Sequence, residues 1–168
     1  MRTPSLAVLL AAAVLAAPPA PAEPLGPGGA LPAITLADQH GALHTLDASL
    51  RLVVLTRDMD AGGIVRELLE KEGAAWLERQ SAVYIADVSR MPGVIRAAIA
   101  KPRMRRRPYP ILLDESGKET VDFPSAGKQA TLIFVKGLRI ERVEHVGSAE
   151  ALGAAVGGAA PPTAAPGS

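Results

Sequence analysis

The chain contains no cysteine. That absence removes disulfide cross-links, thiolate nucleophiles and every metal centre built on cysteine sulfur. Aromatic residues are scarce: Trp76, Tyr84, Tyr109, Phe123 and Phe134. A core must therefore be built from Leu, Ile, Val and Ala, and the stacking platforms used to bind single-stranded nucleic acid are missing. Neither sign of charge is in excess, with 18 Lys and Arg against 17 Asp and Glu. Such a balance gives no case for general nucleic-acid affinity, and no nucleic-acid partner is expected. The glycine fingerprints of dinucleotide-binding and P-loop proteins are absent, and no serine sits in a nucleophile-elbow context.

Long apolar runs are also lacking. The longest, Leu6 to Ala17, is about a dozen residues, where a membrane-crossing helix needs about twenty. It follows Arg2 and precedes Ala20-Pro21-Ala22, a small-x-small pattern. Residues 1–22 read as a cleavable signal peptide, with an uncleaved anchor as the lesser reading. The expectation is a periplasmic or secreted protein that is not an integral membrane protein. The apolar run is not followed by a lipid-accepting Cys. Removing Arg2 would leave 17 basic and 17 acidic residues. Residues 23–30 read as a disordered Pro/Gly linker, and 157–168 as a disordered Gly/Ala/Pro tail. The folded domain is placed at 31–156.

Within it, Ile34-Thr35-Leu36 and Leu43 to Leu46 flank the turn-rich Ala37 to Ala42 and predict a β-hairpin. Leu52 to Thr56 is a continuous apolar run, as in a buried central strand. Ile64, Val65, Leu68 and Leu69 give the next segment a helical apolar face, with Asp60 as its expected N-cap and Trp76-Leu77 continuing after Gly73. Val83 to Asp87 predicts a second buried strand. Pro92 opens a helix whose expected core face is Val94, Ile95, Ala98 and Ile99, and Lys101 to Tyr109 reads as a Pro-broken basic loop. Ile111 to Leu113, Ala130 to Val135 and Arg139 to Val146 read as strands, the last with imperfect alternation. Ser148 caps a short helix, Ala151 to Val156. Helical crossovers imply parallel pairing early and a closing antiparallel hairpin late.

This order resembles the thioredoxin-like superfamily, in its peroxiredoxin and exported thiol-reductase branch. The resemblance rests on Leu31 to Gly41 (a Pro-x-x-x-Leu strand leading into Asp-x-x-Gly), Leu52 to Thr56, Tyr84 to Ser89, Tyr109 to Lys118 (Tyr-Pro-x-Leu-x-Asp-x-x-Gly), and Thr131 to Ile140 followed by Gly147. It covers nearly all of 31–156. It implies an α/β fold with a mixed central sheet, helices on both faces and an N-terminal β-hairpin. It also implies that the catalytic loop should be Arg57-Asp58-Met59-Asp60-Ala61-Gly62-Gly63, where this chain has no nucleophile. Neither Met nor Asp replaces a thiolate in exchange. The position of the branch's cis-proline falls at Gln129 or Ala130. Disulfide reductase, oxidase, isomerase and thiol peroxidase activities are excluded.

Two surfaces remain as candidate binding sites. One is the cysteine-less loop: Arg57, Asp58, Met59 and Asp60. Its acids read either as metal or acid–base groups or, more simply, as helix-capping residues. The other is the run Lys101, Arg103, Arg105, Arg106 and Arg107, five cations within seven residues. That run reads either as a docking patch for an acidic or anionic partner or as a solvated loop. Gly62-Gly63 offers a possible anion cradle. His40, His44 and His145 have no helical spacing and predict no metal site. No cofactor is expected. The function expected is a non-catalytic binding module for a protein partner or small anion, with a flavin- or metal-dependent oxidoreductase on the same scaffold as the alternative.

Overall fold

The computed structural model describes residues 25–158. The expected signal peptide lies outside them, as do residues 159–168 of the expected tail. Seven strands form one mixed sheet in the order β2-β1-β5-β4-β3-β6-β7. They are β1 (Thr35–Asp38), β2 (Leu43–Thr45), β3 (Leu52–Thr56), β4 (Ala82–Asp87), β5 (Leu112–Asp114), β6 (Ala130–Lys136) and β7 (Arg139–Val146). β3, β4 and β5 run parallel to one another, and every other pairing is antiparallel. The hairpin, the buried central strands and the closing hairpin stand where the sequence places them.

The connections explain the layers. α1 (Met59–Glu72) and α2 (Ala75–Arg79) carry the chain from β3 to β4. From β4 to β5 it passes through α3 (Gly93–Ile95), a π turn (Arg96–Ala100) and α4 (Lys101–Met104). Both crossovers step the same way across the sheet, so right-handed connection puts both on one face. α5 (Ala149–Gly157) joins them there. Leu52, Val54, Leu132 and Phe134 meet Ile64, Val65, Leu68, Trp76 and Leu152 in this layer. Helices on both faces were expected. Among the described residues, however, the opposite cluster of Val53, Leu55, Ile85, Ile133 and Ile140 is closed by the non-helical Leu31, Leu46, Leu50 and Phe123.

Two local readings change, and a third gains its reason. Residues 25–30, expected to be a disordered linker, lie along β7. Gly28 N–H donates to Ile140 O (2.8 Å), Ile140 N–H to Gly29 O (2.9 Å), and Ala30 bridges Arg139. Leu25 packs on the second core cluster, which gives this Pro/Gly stretch an apolar anchor. The imperfect alternation of β7 comes from a bulge opposite Phe134/Val135, which lets Ile140 and Val143 share one face and leaves Val146 on the other. Lys101 to Met104, expected in a loop, continues the helix. Pro102 removes one amide and crowds the preceding turn. The π turn just before it, with Lys101 N–H donating to Arg96 O, widens the backbone where the ring must fit.

Gln39 closes the sheet beside β5. It is buried, its Nε2 donates to Tyr109 O (2.8 Å), and its Oε1 accepts from Ile111 N–H (2.7 Å). The side-chain amide thereby spans Pro110, which has no N–H to offer. Gly117 sits at φ +71° beneath the end of β4, where a Cβ would lie 2.5 Å from Ser89 Oγ and 2.9 Å from Ser89 Cβ. Gly117→Ala should therefore lower unfolding free energy by about 1–3 kcal/mol, from backbone strain and collision together. Urea denaturation of the two proteins measures it, and an unchanged midpoint would mean that the 114–120 turn moves freely away from β4.

Candidate functional site

A groove of about 600 Å³ opens beyond the C-terminal ends of parallel strands β3 and β4. Ligands of open α/β sheets gather at this end. One wall is the start of α1, the other is the 93–104 helical stretch, and the floor carries Thr56 and Tyr84. Both regions singled out in the sequence reach it, though only in part. Arg57, Asp58 and Met59 line it, and so do Arg103 and Arg107, while Asp60, Lys101, Arg105 and Arg106 do not.

Arg57 leaves the end of β3 with its side chain largely buried. It pairs with Asp87 Oδ2 and donates to Thr120 O and to Phe123 O, the last at 3.3 Å. Asp87, at the end of β4, has its other oxygen taken by Ser89 N–H (3.0 Å) and Ser89 Oγ (2.6 Å). Thr120 is itself placed by Asp114. That carboxylate is almost fully buried and accepts from Thr120 N–H and Oγ1 (both 2.9 Å) and from Gly117 N–H (2.7 Å). Burial alone would raise the Asp114 pKa. The hydrogen bonds from Thr120, Gly117 and Ser116 outweigh it and hold the carboxyl below its ordinary value.

Asp58, not Asp60, is the N-cap of α1. Its backbone is extended, Oδ1 accepts from Ala61 N–H (2.8 Å), and Oδ2 accepts from Lys128 N–H (2.8 Å). The helix begins two residues before the position expected from the sequence, which leaves Asp60 in the first turn, where its charge suits the helix dipole. Asp58 thus straps α1 to the loop before β6, the segment where Gln129 and Ala130 were singled out. Burial raises its pKa, but the amides of Ala61, Lys128 and Asp60 and the Lys128 charge bring it down overall. Met59 stands 78% exposed at the groove mouth.

The basic run fans out. Lys101 Nζ meets Glu115 at 2.6 Å, Arg107 meets Glu70, and Arg105 Nε donates to Gln39 O (3.1 Å). Arg103 and Arg106 have no acidic partner among the described residues. Two further arginines, Arg66 and Arg90, line the groove without an acidic partner. Arg66 folds back over Gly63, where a Cβ would lie 3.9 Å from its Nη2. Tyr84 OH is buried 3.2 Å from Thr56 Oγ1, and burial pushes its pKa up to about 12. It stays protonated as a hydrogen-bond partner on the floor. Gly62 leaves the floor open, since a Cβ there would stand 3.7 Å from that hydroxyl.

The histidines are dispersed: His44 Nε2 lies 3.1 Å from Asp38 Oδ2, and His145 Nδ1 lies 3.0 Å from Thr131 Oγ1. Among the described residues, no three of His, Asp and Glu cluster as metal ligands would. No described helix is long and apolar enough to cross a membrane. The sequence reading missed Arg66, Arg90, Tyr84, Asp87 and Met104. Ile95 and Ile99 were noticed for the right spacing but were assigned to the core instead of a groove wall.

Two outcomes follow. Arg57→Met or Asp87→Asn alone should each cost about 3–5 kcal/mol, because each strands a buried partner. The double replacement by apolar residues should cost less than the sum, as chemical denaturation of all four proteins would show. Asp58 and Asp114 both hold protons less readily when folded. Their stabilisation is therefore complete above the ordinary carboxyl pKa of about 3.9 and is lost as pH falls further, through their lowered folded values. Stability measured from pH 7 to 2 should drop in that window, and Asp114→Asn should flatten the drop; an unchanged profile would remove Asp114 as a contributor.

No family model matches the chain, and no curated protein matches it either. Solved structures do. A candidate protein disulfide isomerase of Bacteroides thetaiotaomicron is 21% identical, with a TM-score of 0.53 over 80% of this chain and 91% of that one. Peroxidoxin BcpB of Mycobacterium tuberculosis is 19% identical, with a TM-score of 0.50 over 79% and 94%. A candidate thiol:disulfide interchange protein DsbE of Chlorobium tepidum is 15% identical, with a TM-score of 0.53 over 82% and 95%. The fold is thioredoxin-like, carried by a chain without cysteine.

Proposed function

We propose that this protein is an exported, non-catalytic binding module, with its ligand held in the groove above β3 and β4. One observation carries the reading: both carboxylates lining the groove are already spent on structure. Asp58 has each oxygen engaged by a backbone amide, and Asp87 has its two oxygens engaged by Arg57 and Ser89. Neither is a free base, the tyrosine on the floor is held neutral, and no thiol exists. What the groove retains is space, apolar wall and unpaired guanidinium. These are the features of a binding site. Export is supported by Arg2, the apolar run Leu6 to Ala17 and the Ala20-Pro21-Ala22 site. Arg57 and Asp58 serve as braces in this reading. Of the basic run, Arg103 is the member that lines the groove without an acidic partner.

Full-length protein expressed in a host with a Sec pathway, and recovered from the exported fraction, should begin at Glu23 by mass. It should reduce no disulfide substrate above background and show no visible absorption band. A flavin band, stoichiometric metal or turnover would instead make it a cofactor-dependent oxidoreductase. Recovery from the cytoplasmic fraction alone, with residue 1 intact, would remove the export reading.

A further inference from the structure

The helical stretch 93–104 is built oddly for a core helix. Val94, Ile95 and Ile99 are 78%, 44% and 41% exposed, and of this stretch only Met104 packs on the core. Polar ties hold the helix off the sheet. Arg96 donates to Val88 O (3.1 Å), and both Arg96 (3.5 Å) and Lys101 (2.6 Å) pair with Glu115. The space thus kept open is the groove, and Ile95, Ile99 and Met104 face it across from Met59. Methionines make an adaptable wall for an apolar chain. The same groove carries Arg66, Arg90 and Arg103, none with an acidic partner, while its two acids are engaged. Its volume falls within the usual range for small-molecule sites.

A simple anion would meet the arginines and leave the isoleucines wet. An uncharged apolar molecule would leave the arginines unanswered. We propose that the groove takes a free, single-chain amphiphilic carboxylate, with its alkyl chain along Ile95, Ile99, Met104 and Met59 and its head among Arg66, Arg90 and Arg103. This assignment rests on the binding-module reading and names its ligand. The Thr56–Tyr84 hydroxyl pair on the floor offers the head a further hydrogen bond.

The test is calorimetric titration of the exported protein with octanoate, decanoate and dodecanoate, each below its micellar concentration. One site is expected, with affinity rising about fourfold for each added methylene that is buried. Dodecyltrimethylammonium should bind at least about tenfold more weakly than dodecanoate, and acetate should not be detected. Ile95→Ser/Ile99→Ser and Arg66→Gln/Arg90→Gln/Arg103→Gln should each weaken dodecanoate about tenfold or more with circular dichroism unchanged. Equal affinity for both head charges, no dependence on chain length, or binding only to phosphatidylglycerol vesicles would each overturn the proposal. The chain-length and head-charge comparisons use the unmodified protein, so a misfolded variant does not rescue it. Absent dodecanoate binding removes this ligand alone, whereas turnover in the assays of the preceding section removes the binding-module reading as well.

Discussion

The Arg57–Asp87 ion pair is the joint from which the site is hung. It ties the end of β3 to the end of β4, and through Thr120 and Phe123 it reaches the loop that leads toward β6. A charge pair so sheltered gains little stability over an apolar one of the same shape, because desolvation offsets attraction. What it supplies is position: both carboxylate oxygens and both terminal guanidinium nitrogens have fixed partners. The start of α1, the mouth of the groove and the Asp114 turn are therefore held in one register relative to the sheet. Were that register to slip, the floor hydroxyls and the groove arginines would no longer face one space.

The division of labour among charged residues follows. In the loop where the sequence resemblance implies a reactive thiol, this chain places residues that hold the backbone. Asp58 satisfies an orphan amide of α1 and a distant loop amide at once. Glu115, Glu70 and Gln39 absorb most of the basic run. Only where no acid comes within reach do guanidinium groups stay uncompensated, and three of those border an apolar cleft. The cation-rich stretch is less a patch than a set of anchors with two members left over, of which Arg103 lines the groove and Arg106 does not.

Much of the fold was legible because burial writes itself plainly on strands. Leu52 to Thr56 and Ala130 to Val135 are apolar on both faces, since both faces of the central sheet are covered. Hairpin turns and the Ser148 cap were equally plain. The helical stretch 93–104 was misread for a physical reason: periodicity reports that a helix has an apolar face, not what that face meets. Ile95 and Ile99 have core spacing yet line a cleft. The partners of Arg57 lie 30 and 63 residues away, and no local pattern encodes such a pairing. The β7 bulge hid its register, because one extra residue breaks the alternation on which strand reading depends. The Pro/Gly composition of 25–30 predicts weak local preference, which is true. Its order comes from β7, a neighbour more than a hundred residues on.

That last contact bears on how the chain assembles. Gly28 to Leu31 lies hydrogen-bonded along β7 and its turn, at Leu138 and Ile140, and Arg139 reaches back to Gly28 O across 111 positions of sequence. A strand at the margin of a sheet is a template for unwanted pairing until something covers it. Here the cover comes from the first described segment, and the strand it covers is the last of the described strands to be made. Long-range closures of this kind are slow to find. As the chain emerges, residues 28–31 must wait for β7, more than a hundred residues on, before this margin of the sheet is sealed. Until that closure the outer edge of β7 is open to pairing with a neighbouring chain.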